Sequence, residues 1–89
     1  MTPEMFTLQL KEEGFEVENK SLPAGKQVAA HTHPFEVKAL VTAGQVTLGV
    51  GGHLTVYRVG DTFTMAQGCE HSELYGDDGV SYVVGRKYH

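Results

Sequence analysis

Three histidines in this sequence are placed where their side chains could converge on a metal ion. His31 and His33 sit two residues apart in the segment running from Gly25 to Glu36, so in an extended strand both imidazoles leave from the same face. A second segment, from Gly60 to His71, has a turn at Gly68 that delivers one more imidazole to the start of a new strand. Three neutral imidazoles gathered inside a β-structure suit Fe, Mn, Co, Ni, Cu or Zn. The plainer reading of His31 and His33 is a pair of strand histidines, half exposed or hydrogen-bonded, and that reading would prevail for the pair alone. His71 tips the balance toward a metal site of His31, His33 and His71.

Alternation from His71 puts Glu73 and Tyr75 on its face, with Glu70, Ser72 and Leu74 on the other. With His71 pointing inward, Glu73 either orients a histidine or serves as a general base, and Tyr75 lines the same cavity. These two are the candidate catalytic residues; the competing reading makes Glu73 a hydrated carboxylate near an exposed strand end. His53 beside Gly51-Gly52, and His89, read as solvated. Cys69 reads as a buried, unreactive turn residue, because no Lys or Arg stands beside it to lower its pKa. Tyr82 reads as core, offering one hydroxyl to the cavity.

The elements that must position these groups have to be economical. Eighty-nine residues make one domain, and a chain this short buries only about 60 % of its unfolded surface. Hydrophobic residues at 40 % and charged residues at 20 % belong to an ordinary globular chain. No apolar stretch is long enough to span a bilayer, and Met1-Thr2-Pro3-Glu4 does not begin like a signal sequence, so a cytoplasmic protein is expected. The net charge of −4, with its basic residues scattered singly, gives no stripe to follow a phosphate backbone, which argues against nucleic acid as a partner. One cysteine excludes an internal disulfide.

Eleven glycines, spaced along the chain, punctuate it as turns do in an all-β domain. Before them, Thr2 as N-cap, Pro3 in the first turn and Gly14 as stop predict a helix over about residues 3–13. From Phe15 the period changes to two, and strands are expected at 15–20, 27–33, 37–42, 45–50, 54–58, 61–65, 71–75 and 80–84. Short strands at this spacing argue for a sandwich or barrel.

The two histidine segments resemble the paired motifs of the cupin superfamily, G-x5-H-x-H-x3-4-E-x6-G and G-x5-P-x-G-x2-H-x3-N. The first reads Gly25, five residues, His31, Thr32, His33, closing at Gly44; the second reads Gly60, five residues, Ala66, Gln67, Gly68, two residues, His71. The likeness spans roughly residues 15–86. It implies an all-β fold: a small jelly-roll-like cupin β-barrel of two antiparallel sheets, with the N-terminal helix in residues 1–14 and the barrel domain in 15–89. One departure bears on the site. Counting back from Gly44, the family's metal-binding glutamate falls on Val37, and Glu36 lies one residue early, which in a strand reverses its direction. Glu36 joins His31, His33 and His71 as a ligand only if a bulge at Pro34 and Phe35 re-aims it. Ala66 and Tyr75 replace the usual proline and asparagine.

The resemblance implies a divalent transition metal as cofactor and a small polar molecule as substrate or ligand, with an Fe or Mn dioxygenase-like activity the enzyme to test first. The alternative is a non-catalytic ligand-binding or sensing module. Val37, Ala39, Val41, Phe63, Met65 and Tyr82 are the expected cavity wall. Edge strands on so small a domain suggest a homodimer.

Overall fold

Thr2 starts the helix as its residue type directs. In the computed structural model, which describes residues 1–88, the Thr2 hydroxyl accepts the Met5 N–H at 3.1 Å and α1 runs from Pro3 to Glu12. His89, expected to be solvated, lies outside the described residues. The helix stops in a paired-bond cap. Gly14, at φ +87°, donates to the Lys11 carbonyl at 3.1 Å, and Phe15 donates to the Leu10 carbonyl at 2.9 Å. The same turn brings Phe15 against Leu10, and both join Phe6, Leu40 and Val83 in a small core between the helix and the sheet. Of the apolar helix residues only Phe6 and Leu10, one turn apart, are buried; Met5 and Leu8 face outward.

The strands are β1 (Glu16–Leu22), β2 (Gln27–His31), β3 (Glu36–Val50), β4 (His53–Arg58), β5 (Thr62–Met65) and β6 (His71–Lys87). All pair antiparallel. The eight expected strands become six because two expected breaks are bends within continuous strands. β3 runs on through Gly44 and β6 through Gly76 and Gly79, so each contributes its two halves to different sheets. One sheet has β1 and β5 flanking the C-terminal half of β6 and the N-terminal half of β3; the other has β2 and β4 flanking the remaining halves. The bend is a close backbone crossing: Gly44 lies opposite Val80, both Gly44 and Gly79 have positive φ, and a Cβ on Gly44 would run into the Gly79 carbonyl.

The hydrogen-bond path runs β1-β6-β3-β4 without closing, so the barrel is open, with β1, β2, β4 and β5 each paired on one side. Register shifts at 41–43 and 44–46 of β3 exchange the face that looks inward, and Val37, Ala39 and Val41 before the bend meet Val46 and Leu48 after it in one core. Of the expected wall, Val37, Phe63, Met65 and Tyr82 line the inner cavity, whereas Ala39 and Val41 are buried in the core without lining it. No helix among the described residues is long and apolar enough to cross a membrane.

Candidate metal centre

The four side chains that come together are His31, His33, His71 and Glu73. Their donor atoms all lie within 4.8 Å of one another. His71 and Glu73 share a face of β6, and His31 and His33 are brought to them by different backbone devices.

His31 ends β2 directly opposite His71 at the start of β6, while Val28 is opposite Glu73. Three steps along β2 therefore match two along β6, a bulge that accommodates one extra residue. Val28 packs on the inner core. Strict alternation would turn His31, three residues later, to the outside; the bulge returns it to the inner face beside His71 and Glu73. His33 lies past the end of β2. Its carbonyl accepts the Gly68 N–H at 2.9 Å, and its ring stacks on Phe35 with centroids 4.8 Å apart, so the turn before His71 and an aromatic neighbour both hold it.

Backbone carbonyls fix two of the imidazoles in one tautomer. His31 Nδ1 lies 2.8 Å from the Ala29 oxygen and His71 Nδ1 lies 3.1 Å from the Cys69 oxygen. A carbonyl oxygen only accepts, so both Nδ1 atoms carry the proton and both Nε2 atoms of the neutral rings present bare lone pairs. Those lone pairs point into the cluster: His31 Nε2 is 3.1 Å from His33 Nε2 and 3.3 Å from Glu73 Oε2, and His71 Nε2 is 3.5 Å from the same oxygen. His71 is 1 % exposed, and its Nε2 is buried without a hydrogen-bond partner. An unpartnered buried nitrogen facing a carboxylate is the arrangement that a cation between them resolves. The separations also suit it, because ligands about 2.1 Å from a common ion stand roughly 3.0–3.4 Å apart.

Burial holds His33 below the usual imidazole pKa, and His31 and His71 push the same way, outweighing Glu73. The neutral, ligating form is thereby favoured. Glu73 is held from behind: the Tyr75 hydroxyl donates to Oε1 at 3.3 Å, leaving Oε2 for the histidines. Burial, with the Glu73 charge behind it, pushes the Tyr75 phenol up to about 12 and raises Tyr82 as well. Both tyrosines are proton donors at neutral pH.

Glu36 is not part of this group. It opens β3 opposite Lys87, on the strand face that also carries Lys38 and Leu40, toward the helix side of the sheet. Pairing from Glu36 to Val41 has no register shift, so Val37, and not Glu36, shares the inward face with Ala39 and Val41. Val37 keeps the inward position, and the carboxylate beside the histidines comes from β6. Glu73 Oε2 thus lies among the imidazole nitrogens, 3.3 Å from His31 Nε2 and 3.5 Å from His71 Nε2, where it could serve as a fourth donor. Alternation from His71 was the signal for Glu73, and no residue signature marked the bulge. Cys69 is half buried rather than buried, and it contributes its carbonyl to His71. His53 is exposed.

Beside the cluster lies a cavity of about 140 Å³, walled by Val37, Phe63, Tyr82 and Val84 and lined also by Lys20 of β1 and Arg86 of β6.

Two sheets sharing two bent strands, with inward histidines at the start of one of them, define the cupin fold. An RmlC-like cupin from Shewanella frigidimarina matches with a TM-score of 0.69 at 17 % identity, over 84 % of this chain and 68 % of its own. A protein of unknown function from Rhizobium leguminosarum matches with a TM-score of 0.78 at 13 % identity, over 86 % of this chain and 73 % of its own. The DMSP lyase DddQ from Ruegeria pomeroyi gives 0.73 at 23 % identity, over 82 % of this chain but 38 % of its own. At these identities the likeness is one of fold. No protein-family model and no curated protein matches the sequence.

Proposed function

We propose that the protein is a metal-binding cupin that binds or acts on a small polar molecule, with one divalent transition ion held by His31, His33, His71 and Glu73. The observation that carries this reading is the buried His71 Nε2, which has no hydrogen-bond partner and faces the Glu73 carboxylate at 3.5 Å. A bound ion would supply Lewis acidity beside the cavity. The chain's own part is to fix the tautomers of His31 and His71, to turn Glu73 through Tyr75, and to wall the space with apolar side chains. Metal analysis of protein purified without a tag, beside His31→Ala and His71→Ala, tests the reading. Wild-type protein is expected to hold about one ion per chain and each variant far less; equal content in all three overturns it.

Fe or Mn dioxygenase-like turnover is the first enzymatic form to test, by oxygen uptake of the loaded protein. One observation favours a binding or sensing module instead. Tyr75 commits its proton to Glu73, and Glu73 faces the histidines, so neither is a free acid or base. Tight ligand binding without turnover by metal-replete protein supports that second reading.

We further propose a homodimer. Four strands with one unpaired side each, and Leu54 and Leu74 directed outward, support it. A single species of 9.7 kDa in sedimentation at high concentration overturns it.

A further inference from the structure

Strand β1 brings charge to the inner face of a domain that has little interior. Lys20 lies opposite Tyr82 and Glu18 opposite Val84, so Glu18 and Lys20 share the concave face with those two cavity residues. Lys20 and Arg86 line the same cavity as His33, His71 and Glu73. Arg86 is held in place: its Nη2 is 3.2 Å from Glu18 Oε2, and its guanidinium carbon lies 5.4 Å from the centre of the Phe35 ring that stacks on His33. The Glu18 contact engages one nitrogen of a guanidinium with five N–H donors. Lys20, half buried, has no hydrogen-bond or ion-pair partner among the described residues. One cation is therefore matched and the other is not, in a cavity that His33, His71 and Glu73 also line.

We propose that the cavity takes a short-chain carboxylate with a second oxygen on the adjacent carbon, the carboxylate held by Lys20 and Arg86 and the second oxygen turned toward the histidines. Size limits the ligand. A closed cavity of about 150 Å³ holds benzene, so 140 Å³ of this open-mouthed cavity suits a ligand of about six non-hydrogen atoms. Chemistry limits it as well. The unmatched ammonium and the free guanidinium edge select an anion, and Val37, Phe63 and Val84 offer nothing to a second charged group. Only the placement of the second oxygen rests on the metal reading; the carboxylate end stands on Lys20 and Arg86.

Lactate and lactamide, which have the same number of non-hydrogen atoms and differ in charge, are the probes. Each is titrated calorimetrically into wild-type, Lys20→Gln and Glu18→Gln protein, both metal-free and loaded with Co²⁺. Lactate is expected to bind the loaded wild type at least about tenfold more tightly than lactamide. Lys20→Gln should remove most of that preference while leaving cobalt content and the visible spectrum of the loaded protein unchanged. Glu18→Gln frees Arg86 and should enlarge the preference. Equal binding of the two probes, or a preference untouched by Lys20→Gln, overturns the proposal and leaves Lys20 as a charge that protects an edge strand. Failure to take up cobalt would overturn the metal reading separately. The lactate preference of the metal-free protein and its loss in Lys20→Gln would still decide the carboxylate end.

Discussion

His31 stands opposite His71 across the β2–β6 pair although Val28, three residues earlier, shares its face. The extra residue taken up between them lets a histidine from the end of one strand meet a histidine and a glutamate from the next. The site is thus a property of register, and the consequences can be tested one side chain at a time.

Glu73 and Glu36 should behave differently. Glu73 Oε2 lies within 3.5 Å of two imidazole nitrogens, whereas Glu36 sits on the opposite face of β3. Glu73→Gln is expected to weaken metal binding by at least about tenfold, and Glu36→Gln to leave it unchanged. Competition with a chromophoric chelator measures both. The reverse order would return the carboxylate ligand to β3.

Tyr75 holds Glu73 from behind, so Tyr75→Phe should loosen the carboxylate without removing it. At 3.3 Å the hydrogen bond is worth about 0.5–1 kcal/mol, and metal affinity should fall by about two- to fivefold. Denaturant unfolding of the metal-free protein and chelator competition of the loaded one separate the two effects. A loss as large as that of Glu73→Gln would make Tyr75 more than a support.

The same phenol sets a pH dependence. Tyr75 is pushed up to about 12 and Tyr82 is raised too, chiefly by burial in each case, while an unfolded tyrosine ionises near 10. Below pH about 10 both states keep the proton and nothing is lost. Between about 10 and 12 the unfolded chain releases protons that the folded chain retains, so stability falls as pH rises. Thermal melts of metal-free protein across that window should show the decline, and Tyr75→Phe should make it shallower, leaving the part that Tyr82 contributes.

Much of the fold is legible in the sequence because it rests on local chemistry. Thr2, Pro3 and Gly14 bound a helix by capping alone, and the spacing of the histidines and the turn at Gly68 mark them as a set, although the inward turn of His31 itself depends on a bulge. The bends at Gly44 and Gly79 are not legible, because glycine allows the same positive φ in a turn that ends a strand and in a crossing that continues it. Glu73 is half legible. Parity from His71 places it in the cavity, but its nearness to His31 depends on a bulge at Ala29 and Ala30, residues that carry no bulge signature. The docking of the helix is also hidden, since it depends on a residue with no side chain.

That residue is Gly85 in β6. A Cβ there would come 2.9 Å from Leu10 Cδ1 and 3.1 Å from Phe15 Cβ, inside the small core beneath the helix. Gly85→Ala should push α1 outward and destabilise the protein by about 1–3 kcal/mol, as overpacking does. Metal content should not change, because the helix lies on the other side of the sheet. Loss of metal with loss of stability would show that the helix supports the site.

Val37 offers the sharpest test of the carboxylate's origin. It is 5 % exposed and walls the cavity with His33, His71 and Glu73, at the position that the cupin motif resembled by this sequence gives to a glutamate. Val37→Glu puts a second carboxylate into a space that already holds one. Without metal, that charge is buried and faces Glu73, so the variant should lose about 2 kcal/mol or more at neutral pH. Burial raises the pKa of the introduced carboxyl, which makes the penalty a high-pH one: stability should recover as pH falls and the group takes up its proton. A divalent ion at the cluster would remove the penalty differently, by pairing with the charge, so metal should raise the melting temperature of Val37→Glu more than that of wild type. Equal shifts in the two proteins would mean that the inward face of β3 does not look onto the metal, and that the four donors on β2, β6 and the segment between β2 and β3 act without it.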